Sequence, residues 1–158
     1  MSRKRFDAMN CSVARSLDQV GDWWSLLIVR DAMLGVRRFA DFEANLGIAK
    51  NILSDRLKRL TEDEILERRG EGRRVDYVLT RKGRELGPVL EALRLWGDRW
   101  VFGAGNEPLV AQERGGGARV ARLLRADAEG NVLDSRNLEM APGPGADEAT
   151  LEAFFADD

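Results

Sequence analysis

The hydrophobic period of this chain changes once, at Ile65, and that change limits the folds open to it. Upstream, Phe39, Phe42 and Leu46 fall at i, i+3 and i+7, and Leu53, Leu57 and Leu60 at i, i+4 and i+7. That is the spacing of two short helices, from about Arg38 to Leu46 and up to about Glu64. Only Gly47-Ile48-Ala49 lies between them, enough for a tight turn and nothing longer. Downstream, Ile65–Arg69 and Val75–Leu79 are strand-like runs flanking Gly70-Glu71-Gly72, the pattern of a β-hairpin. Helix, tight turn, helix and hairpin in that order predict a mainly α body with a small β wing.

The flanking elements extend this plan. Asn10 or Ser12 caps a short helix to about Val20, stopped by Gly21. Asp22 caps a second helix with Trp24, Leu27, Ile28 and Leu34 near one face, ended by Gly35. After the hairpin, Thr80 caps a helix with Leu86, Leu90, Leu93, Trp96 and Trp100 along one stripe. Pro88 lies within it and is expected to kink or split it, because proline has no N–H for the carbonyl of Arg84. From Gly103 the composition turns glycine-rich, with short β candidates at Leu109-Val110, Val120–Leu124 and Val132-Leu133. A turn is expected at Asp127–Asn131, a linker at Pro142–Gly145 and a last helix capped by Asp147. The expected organisation is a domain over 1–105 and a small, acidic, β-rich appendage with a terminal helix over 106–158.

Charge divides along the same line. The whole chain carries a net −2, but residues 1–105 hold 20 Lys and Arg against 16 Asp and Glu, a net +4. Residues 106–158 hold 5 against 11, a net −6. Local patches, and not the average, decide contact with phosphate. The chain has no histidine, which excludes Ser-His-Asp and Cys-His catalysis and every histidine-bearing zinc site. No pair of acids can be placed in a cleft, so an enzyme is not expected. Neither are a metal site or a cofactor. A single cysteine makes no internal disulfide. The longest apolar stretch, Trp23–Val29, is far below the roughly 20 residues of a membrane helix. The basic first residues lack an apolar segment behind them, so no secretory signal is visible. The chain reads as cytoplasmic.

The order of elements is that of a winged helix-turn-helix. The fourth helix buries its leucines and turns Asn51, Ser54, Asp55, Lys58 and Glu62 outward, with Lys50 and Arg59 at the margins. A major groove about 12 Å wide admits one helix, and its N-terminal residues meet base edges first. Lys50, Asn51, Ser54, Asp55 and Lys58 are therefore the candidate base-facing residues on double-stranded DNA. Asn pairs with adenine, Lys with guanine and Ser with either, while Asp55 can orient a basic neighbour. Arg68, Arg69, Arg73 and Arg74 surround the hairpin tip, placed to follow phosphates or enter the minor groove. Arg37 and Arg38 stand at the start of the third helix, near a backbone strand. Arg56 lies close to the buried stripe, so it either touches phosphate or pairs with an acid inside the fold.

Several separate runs resemble the HxlR-type family of bacterial transcriptional regulators. They are Cys11–Arg30, Arg37–Phe42, Gly47–Leu60 and Tyr77–Leu86 followed by Pro88-Val-Leu and Trp96-Gly, in order over roughly residues 8 to 102. The resemblance implies a homodimeric winged-helix repressor or activator, paired through its terminal helices on an inverted repeat. Ser12 stands where the family often has Pro, and Ala49 where it often has Ser ahead of the recognition helix. Some relatives carry a zinc-ribbon-like tail, but no thiol remains at Gly115–Gly117 or Ala126–Gly130, so no metal is expected. Cys11 matches the position at which some relatives sense oxidants or electrophiles. The alternative is a small residue packed in the dimer.

Trp23, Trp24, Trp96 and Trp100 either pack the dimer core or line a pocket for a small hydrophobic or aromatic effector. A different class of function also fits the fold: a winged helix used as a protein-interaction module, with the acidic tail engaging a basic partner. The basic wing and the polar face of the fourth helix argue against it.

Overall fold

The computed structural model describes residue 6, residues 8–72 and residues 74–155 of the 158-residue chain. The element order is α1 (Ser12–Val20), α2 (Trp23–Met33), α3 (Phe39–Leu46), α4 (Lys50–Glu62), β1 (Leu66–Arg69), β2 (Asp76–Leu79), α5 (Arg81–Arg84), α6 (Gly87–Gly97) and α7 (Glu148–Phe155). A π-helical turn, Asp98–Phe102, follows α6, and a 3₁₀ turn, Ser135–Asn137, precedes α7. The chain is mainly α with one two-stranded antiparallel hairpin, the winged helix-turn-helix expected from the period change.

Local chemistry sets the helix ends. The Asp22 carboxylate accepts the Ser25 backbone N–H at 3.0 Å and the Ser25 hydroxyl at 2.6 Å, which caps α2. Gly47 closes α3 at φ 60°, a left-handed conformation that costs a residue with a Cβ more than it costs glycine, so the chain can reverse at once into α4. Thr80 Oγ1 accepts the Gly83 N–H at 3.0 Å and starts α5. The expected long helix is split: α5 ends at Arg84 and α6 begins at Gly87, which puts Pro88 in a first turn where its missing N–H needs no partner.

The core lies under α4. Leu53, Leu57 and Leu60 are fully buried together with Ile28, Val29 and Phe42, and Ile65 and Leu66 at the start of the hairpin are almost so. Burying each of these side chains contributes about 1.5–3 kcal/mol. The register Leu66↔Leu79 places two buried leucines side by side, while Arg69↔Asp76 lies toward the tip. One face of the hairpin therefore anchors the wing to α4, and its far end extends beyond the core. Leu86 and Leu90 pack on the same cluster.

The chain divides into two compact units between Glu91 and Ala92, within α6 and ahead of the composition change at 105. The appendage does not meet the β-rich expectation. Among its described residues there are two isolated antiparallel bridges, Gln112↔Arg119 and Ala126↔Val132, and no strand. The β candidates there are short, glycine-punctuated and without a face to bury, since no described residue from 92 to 155 is buried. Local signals do hold. Asp127 accepts the Asn131 N–H at 2.8 Å in the expected turn, and Asp147 caps α7 through the Thr150 N–H at 2.9 Å.

Candidate nucleic-acid interface

Because α4 buries its leucines at three- and four-residue intervals, its other face is left in solvent. Lys50, Asn51, Ser54, Asp55 and Lys58 are all exposed on it, as the spacing predicts. Ala49 occupies the N-cap and offers no side-chain acceptor, so the first-turn N–H groups of α4 are left to water or to an anion. Lys50 sits 3.8 Å from Glu43, and Lys58 3.7 Å from Glu62. Exposed pairs of this kind are worth about 0–1 kcal/mol, so either lysine can leave its carboxylate at little cost.

Two other arginines of α4 point the opposite way. Arg56 donates its Nε–H to Asp22 Oδ1 at 2.9 Å and also pairs with Asp55, with only 22% of its side chain exposed. Arg56 is thus held by the acid inside the fold, one of the two alternatives that its place beside the buried stripe left open. Its alkyl stem lies beside the buried leucine stripe, so the guanidinium is drawn to the nearest half-buried carboxylate. Arg59 donates from Nη2 to the Asp18 carbonyl at 2.9 Å. Helix α4 is thus tied by two cations to the corner between α1 and α2. Burial raises the Asp22 pKa, but hydrogen bonds from Ser25 and the Arg56 guanidinium outweigh that and hold it below the usual carboxylate range.

On the wing, Arg68 and Arg74 are exposed and have no acidic partner among the described residues. Arg69 is exposed but pairs with Glu67, its Nη2 at 2.5 Å from Oε1. Arg73 lies outside the described residues. Gly70 makes the tip possible: at φ 91° a Cβ would lie 2.1 Å from the Arg74 carbonyl oxygen. Arg38 forms an ion pair with Asp76 of β2, and the Arg37 carbonyl accepts the Tyr77 N–H at 2.8 Å. The segment before α3 therefore runs beside the wing, with the exposed Arg37 side chain on the same edge. Sequence reasoning did not foresee Glu43, Glu67 and Asp76 as partners of these cations, because no local spacing marks them out.

The remaining candidates lie elsewhere. Cys11 is exposed at the N-cap of α1, not buried within the chain. Trp24 packs against the core, whereas Trp23 is 79% exposed. Trp96 and Trp100 belong to the second unit and are exposed there, with the Arg99 guanidinium 5.0 Å from the Trp100 ring centroid. Among the described residues no group of acids and thiols is arranged to hold a metal, and no helix is long and apolar enough to cross a membrane.

Comparison with known proteins agrees with this geometry. The profile of the HxlR-like helix-turn-helix family matches residues 19–103. An HTH-type transcriptional regulator of Mycobacterium tuberculosis is 36% identical over 137 residues, which is 85% of this chain and 87% of that protein. The crystal structure of PA1607, a proposed transcription factor, superposes with a TM-score of 0.77 at 39% identity, covering 87% of this chain and 98% of its own. Quinone-bound YodB, a transcriptional regulator of Bacillus subtilis, reaches a TM-score of 0.51 at 31% identity over 58% of this chain and all of its own. Residues, fold and relatives agree: the chain belongs to the HxlR-like helix-turn-helix family of transcriptional regulators.

Proposed function

We propose that the protein regulates transcription by binding an inverted-repeat operator as a homodimer, with one α4 in each half-site. The observation that carries this is the exposed polar face of α4, where Lys50, Asn51 and Ser54 head a helix N-terminus without a side-chain cap, with Arg68 and Arg74, which have no acidic partner among the described residues, on the neighbouring wing. The helix supplies hydrogen-bonding groups for base edges, and the wing supplies cations for phosphate. Two-fold pairing sets the half-sites about one helical turn apart on one face of the duplex. Lys58 joins the base-facing set, Arg37 adds a phosphate contact, and occupancy of the operator is the regulatory act.

A signal can reach this machinery through the N-terminus. YodB has been solved with a quinone bound, and this chain carries one exposed thiol, Cys11, at the start of α1. α1 packs on both α2 and α4. An intersubunit disulfide would need the two Cys11 Cα atoms within about 7 Å of each other.

The test is selection of bound duplexes from random DNA, followed by salt titration of the best one with and without oxidant. An enriched inverted repeat with a steep salt slope is the expected result. Salt-sensitive binding without an enriched sequence would leave only a basic surface. No binding would favour a protein-interaction module. An oxidant effect that disappears in Cys11→Ser would assign the thiol.

A further inference from the structure

An open cavity of about 360 Å³ lies between the end of α2, strand β2 and α5, within the size range of small-molecule sites. Its apolar lining is Ala32, Met33, Val78 and Leu79, and its other lining residues are Arg37, Arg84 and Tyr77. No acidic residue lines it. Arg84 uses Nη1 on the Leu79 carbonyl at 2.7 Å, which fixes the guanidinium against the wall. Its other N–H groups, the Arg37 guanidinium and the Tyr77 hydroxyl have no protein acceptor among the described residues. The bond from the Tyr77 N–H to the Arg37 carbonyl holds the two sides of the rim together.

We propose that this cavity binds a small organic carboxylate with an apolar body, as an effector of the DNA-binding activity inferred above. Two arginines and a tyrosine line one cavity that has no acidic residue in its wall, and arginine forks match the two oxygens of a carboxylate. The apolar lining distinguishes such a ligand from a bare inorganic anion, because only an apolar body takes the exposed part of Met33 out of water. Arg37 is also a candidate phosphate contact. A carboxylate that occupies it removes that cation from the DNA face and lowers operator affinity, and the reciprocal effect follows by linkage.

Tyr77 is the only tyrosine, so ring-labelled tyrosine gives one set of NMR signals that reports on this cavity. The full chain, without DNA, is titrated with octanoate, benzoate, octanamide and inorganic phosphate. Octanoate or benzoate is expected to shift the Tyr77 signals saturably, while octanamide and phosphate do not. Arg84→Gln and Arg37→Gln are each expected to weaken carboxylate binding about tenfold or more, from the worth of a charge-assisted hydrogen bond. Should Arg84→Gln fail to fold, Arg37→Gln carries the test, since its side chain is exposed and holds no other element. No saturable shift with either carboxylate overturns the proposal. So does an equal response to octanamide or phosphate, or unchanged affinity in both variants.

The operator is then titrated with and without octanoate. Arg84→Gln is expected to leave operator affinity unchanged in the absence of ligand. A fall would mean the cavity holds a DNA phosphate instead, and would overturn the proposal. Carboxylate binding by a chain that selects no duplex would sink the regulator reading and keep the site. Operator binding without carboxylate binding would do the reverse.

Discussion

Arg56 and Asp22 are 34 residues apart in the chain, yet the Arg56 Nε–H reaches the carboxylate that caps α2. One acid therefore caps α2 and ties α4 to its start. Asp22→Ala removes both functions, while Asp22→Asn keeps a side-chain oxygen able to accept from the Ser25 N–H. Asp22→Ala is expected to cost about 1–3 kcal/mol in denaturant unfolding, from the missing cap and the lost half-buried ion pair with Arg56. Asp22→Asn is expected to cost less. Equal losses would show that the cap contributes nothing.

The same carboxylate gives a signed pH dependence. Its pKa is lowered in the folded state, so its stabilisation is complete above the unfolded value, about 3.9, and is lost as pH falls through the folded value. Wild type and Asp22→Asn are expected to differ most in stability above about pH 4 and to converge in more acidic solution. Paired unfolding curves across this range check the sign. A difference that grows on acidification would contradict it.

On the DNA face, base-facing and phosphate-facing residues separate by their response to sequence. Asn51→Ala is expected to cost about 1–3 kcal/mol on the selected operator and little on random duplex. Arg68→Ala and Arg74→Ala are expected to weaken both duplexes alike and to reduce the salt slope by about 1 for each phosphate no longer neutralised. Arg56→Gln, by contrast, is expected to leave the salt slope unchanged, because its guanidinium is already neutralised by Asp22 and Asp55.

The wing rests on its tip. Gly70→Ala introduces a Cβ that would meet the Arg74 carbonyl at 2.1 Å, on a backbone of positive φ. About 1–3 kcal/mol of strain is expected, relieved by distortion of the hairpin. Operator affinity should fall with α-helical circular dichroism intact, because the helices do not depend on the tip.

Leu57 is the central test of the core. It is fully buried on the inner face of α4, while Asn51 and Ser54 of the same helix are exposed. Leu57→Ala is expected to lower the unfolding free energy by about 2–5 kcal/mol, measured by denaturant titration.

Local features of the fold were legible in the chain itself. Helical and strand periods, the caps at Asp22, Thr80 and Asp147, the turn glycine at Gly47 and the outward face of α4 all follow from interactions within a few residues. Pro88 announced a break in the C-terminal helical stripe for the same reason. Periodicity also overreached after residue 105: the apolar runs there have strand-like composition, but among the described residues they bury no side chain and form only isolated bridges. Tertiary structure alone decided which cations remain available. Arg56, Arg38 and Arg69 are paired with Asp22, Asp76 and Glu67, while Arg68 and Arg74 hold no such acid among the described residues. It also decided that Trp24 joins the core while Trp23 stays exposed, and it formed the cavity that joins Arg37, Tyr77 and Arg84. Backbone periods are written in neighbouring residues, whereas ion pairs and cavities depend on which distant side chains the folded chain brings within a few ångströms.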